Sequence, residues 1–173
     1  GFLSVQNGEP TKAFKDIDRA IEFSPFNHDA YLKRAQAYAA IGQFSLALQD
    51  MDWAIALSPI NSEYLYQRGL VYLESSQYEM ALADFDSSIV VKRYADFVDP
   101  THANSFLERG RTHLRLGHHN DALNDANSAI DILKEYFVSL EWEAYQTKIN
   151  LQLADAHQLI DDAYVKLSRS GEN

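Results

Sequence analysis

The chain contains no cysteine, so disulfides and thiolate metal sites are excluded from any account of its fold. Basic residues are outnumbered, 15 Lys and Arg against 25 Asp and Glu, for a formal net charge of -10. That balance repels phosphate backbones and argues against a nucleic-acid partner. It also opposes adsorption to anionic membrane surfaces. No apolar run approaches the ~20 residues that a membrane-spanning helix needs. The N-terminus shows no basic stretch followed by an apolar core. There is no Gly-rich phosphate-cradling loop and no Gly-x-Ser-x-Gly nucleophile motif. The many carboxylates read as a solvated outer face rather than as an acid/base pair, so neither catalysis nor a cofactor is expected. The lack of cysteine says little about compartment; a cytoplasmic location is the working expectation.

What is present points to a packed core. Apolar residues make up 46% of the chain and aromatics 12%, too rich for a disordered segment. Self-comparison then gives the organising signal. Ala47-Leu48-Gln49-Asp50 recurs as Ala81-Leu82-Ala83-Asp84 and as Ala122-Leu123-Asn124-Asp125, and earlier as Ala13-Phe14-Lys15-Asp16. The alanines at 13, 47, 81 and 122 are spaced by 34, 34 and 41 residues. Seven residues after each stands a small residue followed by isoleucine: Ala20-Ile21, Ala54-Ile55, Ser88-Ile89 and Ala129-Ile130. A second pattern lies upstream: Tyr31-x-x-Arg34-Ala35-x-x-Tyr38, Leu65-x-x-Arg68-Gly69-x-x-Tyr72 and Phe106-x-x-Arg109-Gly110-x-x-His113. Gly8, Gly42, Ser76 and Gly117 separate the two patterns.

These phase-locked copies resemble the tetratricopeptide repeat family, over roughly residues 1–134. Arg stands where that family usually has Leu, Ala126 replaces the usual Phe, and no proline closes the third and fourth copies; these departures are expected to loosen local packing. The resemblance implies an all-α fold of stacked antiparallel helix pairs, A and B, in a right-handed superhelix. Local signals agree. Asn27 and Asn61 suit N-caps. Gly42 and Gly117 suit the left-handed residue that ends a helix. Pro25 and Pro59 follow helices they cannot continue, and Pro10 suits a first turn. The A helix of the second copy is expected from about Asn27 to Ile41, and its B helix from about Phe44 to Leu57. The recurring Gly and Ala residues are expected where helices approach closely.

The expected organisation is a repeat array over 1–134, with a truncated first repeat (1–27), repeats at 28–61, 62–102 and 103–134, and an insertion in the third. Gly1 falls at the eighth position of a repeat, as in a fragment of a longer protein. In the insertion, helix B is expected to run on through Val91 and Tyr94, with Asp99-Pro100 starting the next A helix. After Lys134 neither Gly nor Pro occurs until Gly171. Residues 135–173 are expected to form one long capping helix. A degenerate fifth repeat turning near Asn150 is the alternative, because Ala144, Ala156 and Ala163 keep the phase of Gly110, Ala122 and Ala129.

The resemblance also implies a protein or peptide partner held on the concave face of the A helices. The matching positions are Asp29, Leu32, Gln36, Ala39 and Ala40; Glu63, Tyr66, Leu70, Leu73 and Glu74; and Asn104, Leu107, Arg111, Leu114 and Arg115. Phe2, Val5 and Gln6 come from the truncated copy. Leu32, Tyr66, Leu70, Leu73, Leu107 and Leu114 are expected to form an exposed apolar row, and Arg111 with Arg115 a carboxylate clamp. Packing of some of these leucines against the capping helix is the competing expectation. The chaperone-tail clamp of some family members is not expected. It needs Lys, Asn and Arg where this chain has Leu32, Gln36, Gln67, Asn104 and Glu108. Self-association through Trp142 and Tyr145 is the alternative to a scaffold. His113, His118 and His119 form the single histidine cluster. His113 occupies the family's Tyr position and reads as packing, and no acidic residue nearby suggests a metal site.

Overall fold

The computed structural model describes residues 10–93, 101–139 and 143–170. Eight helices and no strands occur among them: α1 (Pro10–Phe23), α2 (His28–Ala40), α3 (Phe44–Leu57), α4 (Ser62–Glu74), α5 (Tyr78–Arg93), α6 (Thr101–Leu116), α7 (His119–Ser139) and α8 (Glu143–Ser170). The chain forms two compact units, residues 1–77 with α1 to α4 and residues 78–173 with α5 to α8. Phe2, Val5, Gln6, Tyr94, the Asp99-Pro100 cap, Trp142 and the side chain of Tyr145 lie outside the described residues. No described helix is long and apolar enough to cross a membrane.

Local chemistry sets the helix ends. The Asn27 side chain accepts a hydrogen bond from the Ala30 amide at 3.3 Å, and Asn61 accepts one from Glu63 at 3.0 Å. Each cap satisfies a backbone donor that the first turn leaves free. Gly42 and Gly117 adopt φ of 73° and 80°, the left-handed conformation that glycine enters at least cost. Ser76 takes the same place with φ 61°. In all three turns the next residue's amide reaches back over the turn: Gln43 to Tyr38 O at 2.9 Å, Gln77 to Tyr72 O at 2.8 Å, and His118 to His113 O at 2.9 Å.

The recurrent alanines are the points of closest packing. Ala13, Ala47, Ala81 and Ala122 are all fully buried. In the first unit Ala35, Ala47, Met51 and Val71 form a cluster flanked by Leu32, Tyr38, Ala39, Phe44 and Leu48. A larger side chain at Ala47 would overpack it at a cost of about 1–3 kcal/mol. In the second unit α8 packs on both α7 and α6. The cluster there joins Ala103 and Leu107 of α6 with Ala126, Ala129, Ile130 and Leu133 of α7 and Ile149, Ala156 and Leu159 of α8. The α7 helix continues past Lys134 to Ser139, and α8 runs without interruption through Asn150.

The arginines at the usual Leu position do not loosen the packing; they tie helices together. Arg34 of α2 donates twice to Asp50 of α3, at 2.7 and 2.8 Å, and once to Asp18 of α1 at 2.8 Å. Arg68 of α4 donates to Asp52 of α3 at 2.7 Å. Arg109 of α6 donates to both carboxylate oxygens of Asp125 of α7 and to Asp86 of α5. A planar guanidinium can serve two carboxylates at once, which a leucine cannot. Hydrogen bonds from Arg34 to Asp50 outweigh burial and raise the Arg34 pKa above its ordinary value. Burial acts against the charge of Arg109, but Asp125 and Asp86 outweigh it and raise that pKa too.

Candidate functional site

In the first unit the A helices α2 and α4 are linked by side chains. Gln36 donates to Gln67 at 3.3 Å, and Gln67 donates to Glu63 at 2.7 Å. Beside this amide pair lies a cavity of about 250 Å³ lined by Gln36, Ala39, Ala40, Met51, Gln67, Leu70, Val71 and Glu74. Its floor is apolar and its rim carries amides and one exposed carboxylate, Glu74. Further along the same helix pair, the buried Tyr64 hydroxyl donates to Asp29 at 2.6 Å and bonds His28 Nδ1 at 2.5 Å. Burial and then the hydrogen bond to Asp29 push the Tyr64 hydroxyl well above its ordinary range, while the same bond lowers the Asp29 carboxyl.

The expected site residues divide between the units. Leu32, Gln36, Glu63, Tyr66, Leu70 and Leu73 all lie on α2 and α4. They are half-buried rather than exposed. Leu32 packs on the core cluster of this unit. The expectation of an exposed apolar row is corrected accordingly. Gln67 also lines the cavity, and Met51 and Val71 reach it from the core; no repeat-position pattern marks these three as site residues.

In the second unit the correction is larger. Leu107 is 2% exposed and belongs to the core cluster with Leu159 and Ile149 of α8. Leu114 packs on the same cluster. Asn104 accepts a hydrogen bond from Gln152 at 2.5 Å. Arg111 is paired with Glu108 on its own helix and lies 3.5 Å from Asp155 of α8. The Arg111–Arg115 clamp thus has one arm engaged within the unit, while Arg115 is exposed. Both line a cavity of about 450 Å³ with Leu114, Asp162, Val165 and Lys166. Here α8 occupies the face that α6 was expected to offer.

The histidine cluster also differs from expectation. His113 is half-buried, and its burial lowers its pKa against the pull of Asp125 and Asp121. His118 lies beside it, with Nδ1 atoms 3.4 Å apart. Asp121 joins them, all three ligand atoms lying within 4.8 Å of one another. His119 is not part of this group.

Residues 32–96 match the family model for the tetratricopeptide repeat. That segment carries tetratricopeptide repeats. No curated protein matches it in sequence. Solved structures share the fold at low identity. PilF of Pseudomonas aeruginosa is 18% identical with a TM-score of 0.67, covering 96% of this chain and 71% of that one. MamA of Desulfovibrio magneticus RS-1 is 15% identical with a TM-score of 0.64, covering 99% of this chain and 91% of that one. YrrB, described as a TPR protein with an unusual peptide-binding site, is 17% identical with a TM-score of 0.56, covering 88% and 71%. Tetratricopeptide repeats generally act as non-enzymatic scaffolds and mediate contacts between proteins.

Proposed function

We propose that the chain is a protein-interaction scaffold that takes a short peptide segment of a partner on the α2–α4 face. The observation that carries this reading is the cavity beside the Gln36–Gln67 pair, where an apolar floor meets primary amides. An amide side chain both donates and accepts, so it can pair with the N–H and C=O groups of an extended backbone. Ala39, Met51, Leu70 and Val71 accept a small apolar anchor. Glu74 on the rim and the net charge of -10 favour basic residues flanking that anchor. The peptide-binding description of YrrB, a chain of similar fold, supports the same use of such repeats.

A peptide-display selection against the chain, followed by titration of the selected sequence, tests the reading. Gln36→Ala and Leu70→Ser should each weaken binding at least about tenfold, with helicity unchanged by circular dichroism. Binding that survives both substitutions removes this face from consideration. Self-association is the second reading. It is favoured by Phe23, Phe26 and Ile60, which are 80–87% exposed at the junctions between B and A helices. Sedimentation analysis over a concentration series distinguishes it, since a dimer lost on Phe26→Ser and Ile60→Ser would support assembly.

A further inference from the structure

We propose that His113, His118 and Asp121 form a binding site for a zinc-class divalent cation at the turn between α6 and α7. The two imidazole Nδ1 atoms are 3.4 Å apart. That is long for a good hydrogen bond between ring nitrogens. It is close to the edge of a zinc tetrahedron, about 3.3 Å when Zn–N is about 2.0–2.1 Å. Asp121 supplies a carboxylate oxygen within 4.8 Å of one ring nitrogen of each histidine, so a rotation of its exposed side chain can bring a third ligand toward the pair.

The turn itself builds this arrangement. Gly117 in the left-handed conformation folds the chain back, and the His118 amide closes on His113 O at 2.9 Å. The two rings are thereby set side by side, with centroids 5.6 Å apart. The first turn of α7 then places Asp121 over them. Behind His113, its Nε2 faces Asp125 Oδ2 at 3.9 Å, and Asp125 is fixed by Arg109. At that distance Asp125 makes no hydrogen bond to the ring, but it sets a negative charge behind His113 and leaves Nδ1 on the side of His118. The charged groups around His113 are Asp125, Asp121 and Arg109, and Arg109 also bonds Asp86, so the local balance favours a cation.

The ligand chemistry selects the ion class. Two imidazoles and one carboxylate suit zinc and its neighbours, whereas magnesium prefers oxygen ligands. Three protein ligands leave a fourth position for water or a donor from another molecule.

Calorimetric titration of the full chain, metal-free and without any polyhistidine tag, with zinc chloride provides the test. One equivalent should bind, and magnesium chloride should give no saturable heat. His118→Ala and Asp121→Asn, both at exposed positions, should each weaken zinc at least about tenfold. His113→Tyr restores the residue that the family carries there and should abolish uptake. In imidazole-detected NMR, zinc should shift His113 and His118 and leave His28, His119 and His157 unmoved. No saturable uptake, or equal affinity in a His113→Tyr/His118→Ala double variant, overturns the proposal.

Discussion

The two units apply one repeat to different ends. At equivalent positions in successive copies stand Leu32, Tyr66 and Leu107. Leu32 and Tyr66 are half-buried on α2 and α4, whereas Leu107 is sealed beneath α8. Gln36 and Leu70 line a cavity, whereas Arg111 is held by Glu108 and faces Asp155 of α8. The second unit thus fills its own helix-A face with a helix from the same chain. There α8 buries apolar side chains and pairs an amide with an amide through Gln152 and Asn104.

Both units stand on the same kind of internal clamp, and breaking those clamps should give the largest effects. Asp50 and Asp125 are 3% exposed and each is gripped by two nitrogens of one arginine. Arg34→Leu and Arg109→Leu each leave a buried carboxylate without its partner, which costs about 3–5 kcal/mol. Adding Asp50→Leu or Asp125→Leu to the respective variant should recover most of that loss, because two packed apolar groups need no pairing. Urea denaturation of the single and double variants measures both. A large cost at Arg34 with none at Arg109 would show that the units are not held alike.

The next effect separates the units. Leu159→Ala removes the α8 side chain that closes over Gly110 and Leu107, and a buried Leu→Ala change costs about 2–5 kcal/mol. Amide exchange should accelerate in α6 and α8 while α2 and α4 keep their protection. A Cβ at Gly110 would lie 2.7 Å from Leu159 Cδ2 and 3.2 Å from Asp125 Cβ. Gly110→Ala should therefore be tolerated better in the Leu159→Ala background than in the wild type. Uniform loss of protection along the chain would mean that α8 is not a local cover.

Such differences were unevenly legible in the sequence. Caps and turn residues act within a few positions, so Asn27, Asn61, Gly42 and Gly117 announced the helix ends. The alanines at 13, 47, 81 and 122 announced close packing because only small side chains fit there. The arginine clamps were half visible. Arg34 precedes Asp50, and Arg109 precedes Asp125, by the same 16 residues, but the family pattern made arginine read as a flaw. The burial of Leu107 was legible only as the competing expectation of leucines packed on the capping helix, because nothing in the repeat pattern singles out which of them α8 covers. Asp121 was missed because the turn at Gly117, rather than proximity in sequence alone, sets its carboxylate beside the two histidines.

The smallest effect probes how the first unit links its A helices α2 and α4. Tyr64 reaches from α4 to Asp29 and His28 of α2. Its equivalent in the second unit is Ser105, which bonds Ser88 of α5 instead at 3.1 Å. The hydrogen bond from Tyr64 lowers the Asp29 pKa from the ordinary 3.8. A carboxyl whose pKa falls on folding adds stability above its unfolded value, and that stability is lost as pH drops through the folded value. Tyr64→Phe removes the donor, so the Asp29 midpoint should climb back toward 3.8 in a carboxyl-detected NMR titration. The acid limb of the stability curve should flatten slightly there, and only slightly, because Asp29 is 63% exposed. An unmoved midpoint would mean that Tyr64 does not hold Asp29, leaving His28 as its partner on α2.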